Sequence, residues 1–150
     1  MTIARTTRFA KISQRVMKHA QTEVTMYWTW QDDYPLMSAD LKSLYPSFYA
    51  TRHFTNYLNT GTQIIHSMSS DPEILALSGI HENGSKVLQL INMKNTPVNV
   101  SIQGFESGSV DMVTTTEANN WEELKKVTSP KKGLINLTLK AGSINSIILN

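Results

Sequence analysis

At 150 residues the chain can hold one ordinary domain, or a small domain plus a fragment of another. With 40% hydrophobic and 17% charged residues it has the composition of a folding chain and not of a disordered one. A formal net charge of +2 is too small to argue for nucleic acid or an anionic membrane as partner. Cysteine is absent, which excludes disulfides, thiolate metal sites and a cysteine nucleophile but leaves the compartment open.

Residues 4–20 read as an amphipathic helix, with Phe9, Ile12, Val16 and Ala20 at helical spacing and Arg5, Arg8, Lys11, Arg15 and Lys18 mostly opposite. The segment has no apolar run of the kind a signal peptide needs, and nowhere does the chain approach the roughly 18 apolar residues of a transmembrane span. Thr22 to Gln31 is β-branched and aromatic with apolar residues on both faces, the pattern of a strand buried on both sides in a parallel sheet. Asp32-Asp33-Tyr34-Pro35 breaks it. Residues 36–45 are irregular. A helix is predicted over 46–58, with Pro46 in its first turn, Phe48, Tyr49, Phe54, Tyr57 and Leu58 along it, and a stop at Asn59-Thr60-Gly61. Phe48, Phe54 and Tyr57 are expected to pack it against the strand-rich region beyond Gly61.

After Gly61 the period becomes that of strands. Candidates are 62–68, 73–79, 86–92, 97–103, 109–115, 122–127, 133–139 and 144–149, separated by turn residues such as Ser70-Asp71-Pro72, Ser129-Pro130 and Gly142. Asn83-Gly84 predicts a hairpin with a type I′ turn. Seven or eight short strands at this spacing predict a mainly β chain, an antiparallel sandwich. The α-β-α segment before it cannot close a sheet alone, because a parallel strand needs neighbours on both sides. The sequence thus divides at about residue 60, into a partial segment 1–60 and a β-sandwich domain 61–150.

No constellation here carries chemistry by itself. Acid–base catalysis by carboxylates needs two of them placed to share the roles of proton donor and base. Glu23 precedes a strand instead of ending one, and Asp32 and Asp33 fit a turn better than a catalytic pair. His19, His53, His66 and His81 show no metal-ligand spacing, and His53 reads as packing or interfacial. No metal and no cofactor are expected. Lys125, Lys126, Lys131 and Lys132 flank a turn and read as solvated. Trp121, followed by Glu122 and Glu123, fits the edge of the sandwich better than an exposed carbohydrate contact. Asn83-Gly84-Ser85, Asn99-Val100-Ser101 and Asn136-Leu137-Thr138 are glycosylation sequons, which count only in a eukaryotic secretory context.

Three segments in this order carry a resemblance: the aromatic helix YPSFYATRHFTNYLNTG, the strands HSMSSDPEILALSGIHENGSKVLQLINMKNTPVNVSI, and the closing LTLKAGSINSIIL. Together they resemble the C-terminal portion of clan A glycoside hydrolases, closest to family 30, over about residues 20–150. The resemblance implies a last βα unit of a (β/α)8 barrel followed by the attached β-sandwich. A complete barrel takes about 250 residues, so both catalytic carboxylates would lie outside this chain, which would be inactive alone. TMYWTWQDD then looks like barrel strand eight, and Trp28 or Trp30, Trp28 preferred, would floor a sugar subsite in a complete barrel, where a flat indole covers the apolar face of a pyranose. The implied partner is carbohydrate, bound by the intact parent enzyme, which would be secreted or periplasmic. Self-association through the unpaired apolar segment is a further expectation. The alternative reading is a stand-alone β-sandwich module that binds carbohydrate or protein.

Overall fold

The computed structural model describes residues 3–20, 36–104, 109–117, 121–128 and 133–149. Among these, two helices, α1 (Ile3–Ala20) and α2 (Pro46–Tyr57), precede eight strands: β1 (Gln63–Ile65), β2 (Ile74–Ile80), β3 (Lys86–Asn92), β4 (Val98–Gln103), β5 (Ser109–Thr115), β6 (Glu122–Thr128), β7 (Leu134–Leu139) and β8 (Ser143–Leu149). The predicted strand-rich architecture is present, with most boundaries within a residue of expectation. The exception is β1, three residues where seven were predicted. The predicted strand over 22–31 lies outside the described residues.

All the described strand pairs are antiparallel. One sheet runs β1-β2-β3-β8-β5-β6 and a second holds β4 and β7. The last strand in sequence therefore sits in the middle of the larger sheet. All seven residues of β8 pair with β3, from Ser143 opposite Asn92 to Leu149 opposite Lys86. A strand in that position is covered on both faces, which fits its composition, SINSIIL, with hydroxyl, amide and aliphatic side chains all buried except the partly exposed Ile148.

Alternation along the strands separates two apolar layers. Ile74, Ala76, Leu88, Leu90, Val110, Met112, Ile147 and Leu149 face the smaller sheet and meet Ile102, Ile135, Leu137 and Leu139. The opposite face turns Leu77, Val87, Ile91 and Ile144 toward the helices, where Ala10, Ala50, Phe54 and Leu58 cover them. Each Val, Leu, Ile, Phe or Met side chain buried in this way contributes about 1.5–3 kcal/mol relative to its exposed state. The chain is thus a two-sheet sandwich whose larger sheet also carries a helical layer.

The helices differ from expectation in which residues they bury. On α1 the closed positions are Thr6, Thr7, Ala10 and Gln14, while Ile12 is 62% exposed. Of the apolar residues at helical spacing, Phe9 packs against the helix-side apolar layer as its spacing implies, while small side chains let the helix lie close on the sheet and Gln14 Nε2 donates to the backbone carbonyl of Gln89 at 3.4 Å. On α2, Phe54 is buried and Tyr57 packs against the apolar layer as expected, but Phe48 does not join it and instead meets Tyr49 edge-on at 5.3 Å. Pro46 opens α2 after an extended Tyr45 (ψ 163°), the conformation a residue before proline prefers.

The Asn83-Gly84 hairpin is also not of the predicted type. A type I′ turn needs positive φ at both central residues, yet only Gly84 has it (φ 84°). Gly84 N–H donates to His81 O and His81 N–H to Ser85 O, both at 2.9 Å, closing a longer loop that ends on a left-handed glycine. Asn83 avoids positive φ because its Oδ1 accepts from both the N–H (3.0 Å) and the hydroxyl (2.7 Å) of Ser85.

Candidate functional site

Tyr49, Arg52, His53 and Tyr57 fall at i, i+3, i+4 and i+8 on α2 and so share one side of the helix. Trp121, the residue before edge strand β6, closes over them. Its ring centroid lies 4.9 Å from that of His53 and 6.3 Å from those of Tyr49 and Tyr57, nearly parallel to Tyr57 (7°). The Arg52 guanidinium carbon stands 4.1 Å above the Trp121 ring, a cation–π contact. Replacing Arg52 with Met is expected to lower unfolding stability by about 0.5–1 kcal/mol. Urea denaturation followed by tryptophan fluorescence checks this.

Beneath the rings, His53 has no exposed surface. Its Nδ1 is 2.8 Å from Ser146 Oγ and its Nε2 3.0 Å from Thr115 Oγ1, so β8 and β5 each supply a hydroxyl. Gln89 Nε2 donates to the His53 carbonyl at 2.8 Å. Burial first, then the neighbouring Arg52 charge, lowers the His53 pKa from 6.5 to about 3. A fully enclosed imidazole with both nitrogens engaged and no charge at neutral pH offers neither a proton route nor a ligand position. It fastens α2 to the sheet. Periodicity marked this helix as aromatic; that Arg52, His53 and Trp121 complete the cluster depends on strands far away in sequence.

The other histidines are dispersed. His19 ends α1 exposed, His66 is exposed after β1, and His81 Nδ1 lies 3.0 Å from Thr62 Oγ1. Among the described residues no three His, Asp or Glu side chains come together. Glu23, Trp28, Trp30, Asp32 and Asp33 lie outside the described residues.

Two concavities stand out. One, of about 770 Å³, opens between β4 and the β1–β3 side of the larger sheet, with Ala76, Leu88, Leu90, Val98 and Val100 among its lining. The other, of about 430 Å³, lies between the exit of α2 and the β2–β3 hairpin and is lined by polar groups, including Asn56, Asn59, His81, Glu82, Asn83 and Ser85. Gly61 (φ 86°) forms part of its wall, and a Cβ there would stand 2.8 Å from Glu82 Oε1. Hydroxyl, amide, imidazole and carboxylate groups so placed can hydrogen-bond a polyhydroxy ligand but supply no catalytic pair.

No protein-family model and no curated protein matches the sequence. Solved structures do match. The family 30 subfamily 8 xylanase of Clostridium acetobutylicum superposes with a TM-score of 0.88 over 98% of this chain, at 19% identity. This chain shares its fold with part of a glycoside hydrolase family 30 structure. A family 30 endoxylanase of Clostridium papyrosolvens gives 0.88 over 99% at 16% identity, and the catalytic domain of a family 30 xylanase of Talaromyces cellulolyticus 0.83 over 96% at 15%. The chain spans 39%, 39% and 34% of these three family 30 structures. At such identities the likeness is one of fold, and it includes the helices as well as the sandwich.

Proposed function

We propose that this chain is the C-terminal portion of a glycoside hydrolase acting on O-glycosidic bonds. In this reading residues 1–60 are the end of a (β/α)8 barrel and residues 61–150 its structural or accessory sandwich. The supporting observation is the match to family 30 xylanases over 98% of the chain, while the chain spans 39% of their length. Trp28 and Trp30 take the role of a sugar-subsite floor when the barrel is whole, and carbohydrate is the partner of the whole enzyme. The chain holds no complete catalytic site: acid and nucleophile are both contributed elsewhere. Loss of two such carboxylates removes several orders of magnitude of rate.

The purified chain is therefore expected to hydrolyse neither aryl β-xylosides, aryl β-glucosides nor xylan. Robust turnover that disappears in Glu23→Gln would overturn the reading and make Glu23 catalytic. Tight glycan binding by the isolated chain, unaffected by Trp28→Ala and Trp30→Ala, would favour a stand-alone binding module instead. Light scattering tests the accompanying proposal that the isolated chain self-associates through its apolar segment 20–31; a monomer at high concentration counts against it.

A further inference from the structure

The three sequons occupy different structural settings. Asn99 and Asn136 lie on the outward face of the small sheet, in a register that sets Asn99 opposite Thr138 and Ser101 opposite Asn136. Thr138 Oγ1 donates to Asn99 Oδ1 and Ser101 Oγ to Asn136 Oδ1, both at 2.7 Å. The hydroxyl of each sequon is thus held by the asparagine of the other, with both backbones fixed in a ladder. Asn83-Gly84-Ser85 is the opposite case. It sits at the exposed tip of the β2–β3 hairpin, and its hydroxyl turns back on its own asparagine, Ser85 Oγ to Asn83 Oδ1 at 2.7 Å. Those bonds occupy the carbonyl side of the Asn83 amide, and Nδ2 makes no hydrogen bond to a described residue. Space around the tip is open: a Cβ built on Gly84 meets nothing within 4 Å. Asn83 and Ser85 also line the polar cleft of about 430 Å³.

We propose that, where an N-glycosylating transferase meets the folded chain, Asn83 is the acceptor, with Asn99 and Asn136 silenced by the β4–β7 ladder. The donor class is a sugar activated at its anomeric carbon by a diphosphate. Nδ2 forms a bond to that carbon, the bond from carbon to diphosphate oxygen breaks, the diphosphate departs with the electron pair, and one amide proton passes to a base of the transferase. The first sugar is then seated at the mouth of the cleft, where Asn59, His81 and Glu82 supply hydrogen-bonding groups.

The test incubates the folded, purified chain with a soluble N-glycosyltransferase of Asn-x-Ser/Thr specificity and UDP-glucose, and locates hexose by intact mass and peptide mapping. One hexose is expected, on Asn83, absent from Asn83→Gln and from Ser85→Ala. Modification at Asn99 or Asn136 is expected about tenfold slower or more, because the ladder must open first. Tryptic peptides carrying Asn99 or Asn136, freed from the ladder, are expected to accept hexose. A native chain bare at Asn83, or one modified at Asn99 or Asn136 as fast as at Asn83, overturns the proposal.

Discussion

Acidification from pH 7 toward pH 3 is expected to remove on the order of 4–5 kcal/mol of folding stability through His53 alone. The unfolded chain takes up a proton at the ordinary histidine pKa of 6.5, whereas in the folded protein burial, aided by Arg52, holds the value down at about 3. Below pH 6.5 the unfolded state therefore binds a proton that the native state excludes. The contribution is fully present above 6.5 and declines by about 1.4 kcal/mol per pH unit as the pH falls through the folded value. Protonation does not break the hydrogen-bond geometry, since the hydroxyls of Ser146 and Thr115 can accept from either nitrogen. The penalty comes from enclosing a charge beneath Trp121 and the sheet. Urea titrations at pH 7 and pH 4 measure it, with His53→Gln as the comparison. The variant should be weaker at pH 7 by about 1–3 kcal/mol, because it leaves buried hydroxyls poorly matched, and its stability should fall less steeply with acid. Equal slopes for the two proteins would refute the assignment.

A second large effect is expected at Gly79. Gly79 lies on the helix-facing side of β2, opposite Ile64 of β1, and a Cβ there would stand 2.5 Å from Thr62 Cγ2 and 3.1 Å from Leu58 Cδ2. Contacts that short force the α2 exit and β1 off the sheet. Gly79→Ala should cost about 3 kcal/mol, at the upper end for overpacking, because Thr62 is tied to Asn59 and His81 and cannot yield freely. Thr62→Ser removes the offending methyl and keeps the hydroxyl, so the double variant should recover much of the loss. A double-mutant cycle on denaturation midpoints shows whether the two positions couple. Additive effects would mean that the close approach is not what makes glycine necessary.

Local signals read well where one residue type decides local geometry. Pro46 and the Asn59–Gly61 turn bracket α2, and alternation of residue types found β2 through β8 nearly to the residue. They read poorly where a distant group intervenes. On α1 the spacing placed Phe9 against the apolar layer but failed for Ile12, which is exposed, because the fully closed positions are the small Thr6 and Ala10 and Gln14, which bonds the backbone carbonyl of Gln89, 75 positions away. The type I′ expectation failed because Ser85 engages Asn83, so that only Gly84 has to turn left-handed.

The same division holds for function. The absence of cysteine, the small net charge, and the order of aromatic helix, strands and closing AGS segment were determined by sequence alone, since each depends only on residue identity and near-neighbour spacing. Tertiary structure decided that β8 lies in the centre of the larger sheet. It decided that His53 is enclosed between two strand hydroxyls, that Trp121 meets Arg52, and that two of three identical motifs lock each other. Each of these joins residues between 35 and 93 positions apart. Only the pairing of strands brings such groups within hydrogen-bond distance, because side-chain chemistry acts over a few ångströms and the sequence does not record which strands become neighbours.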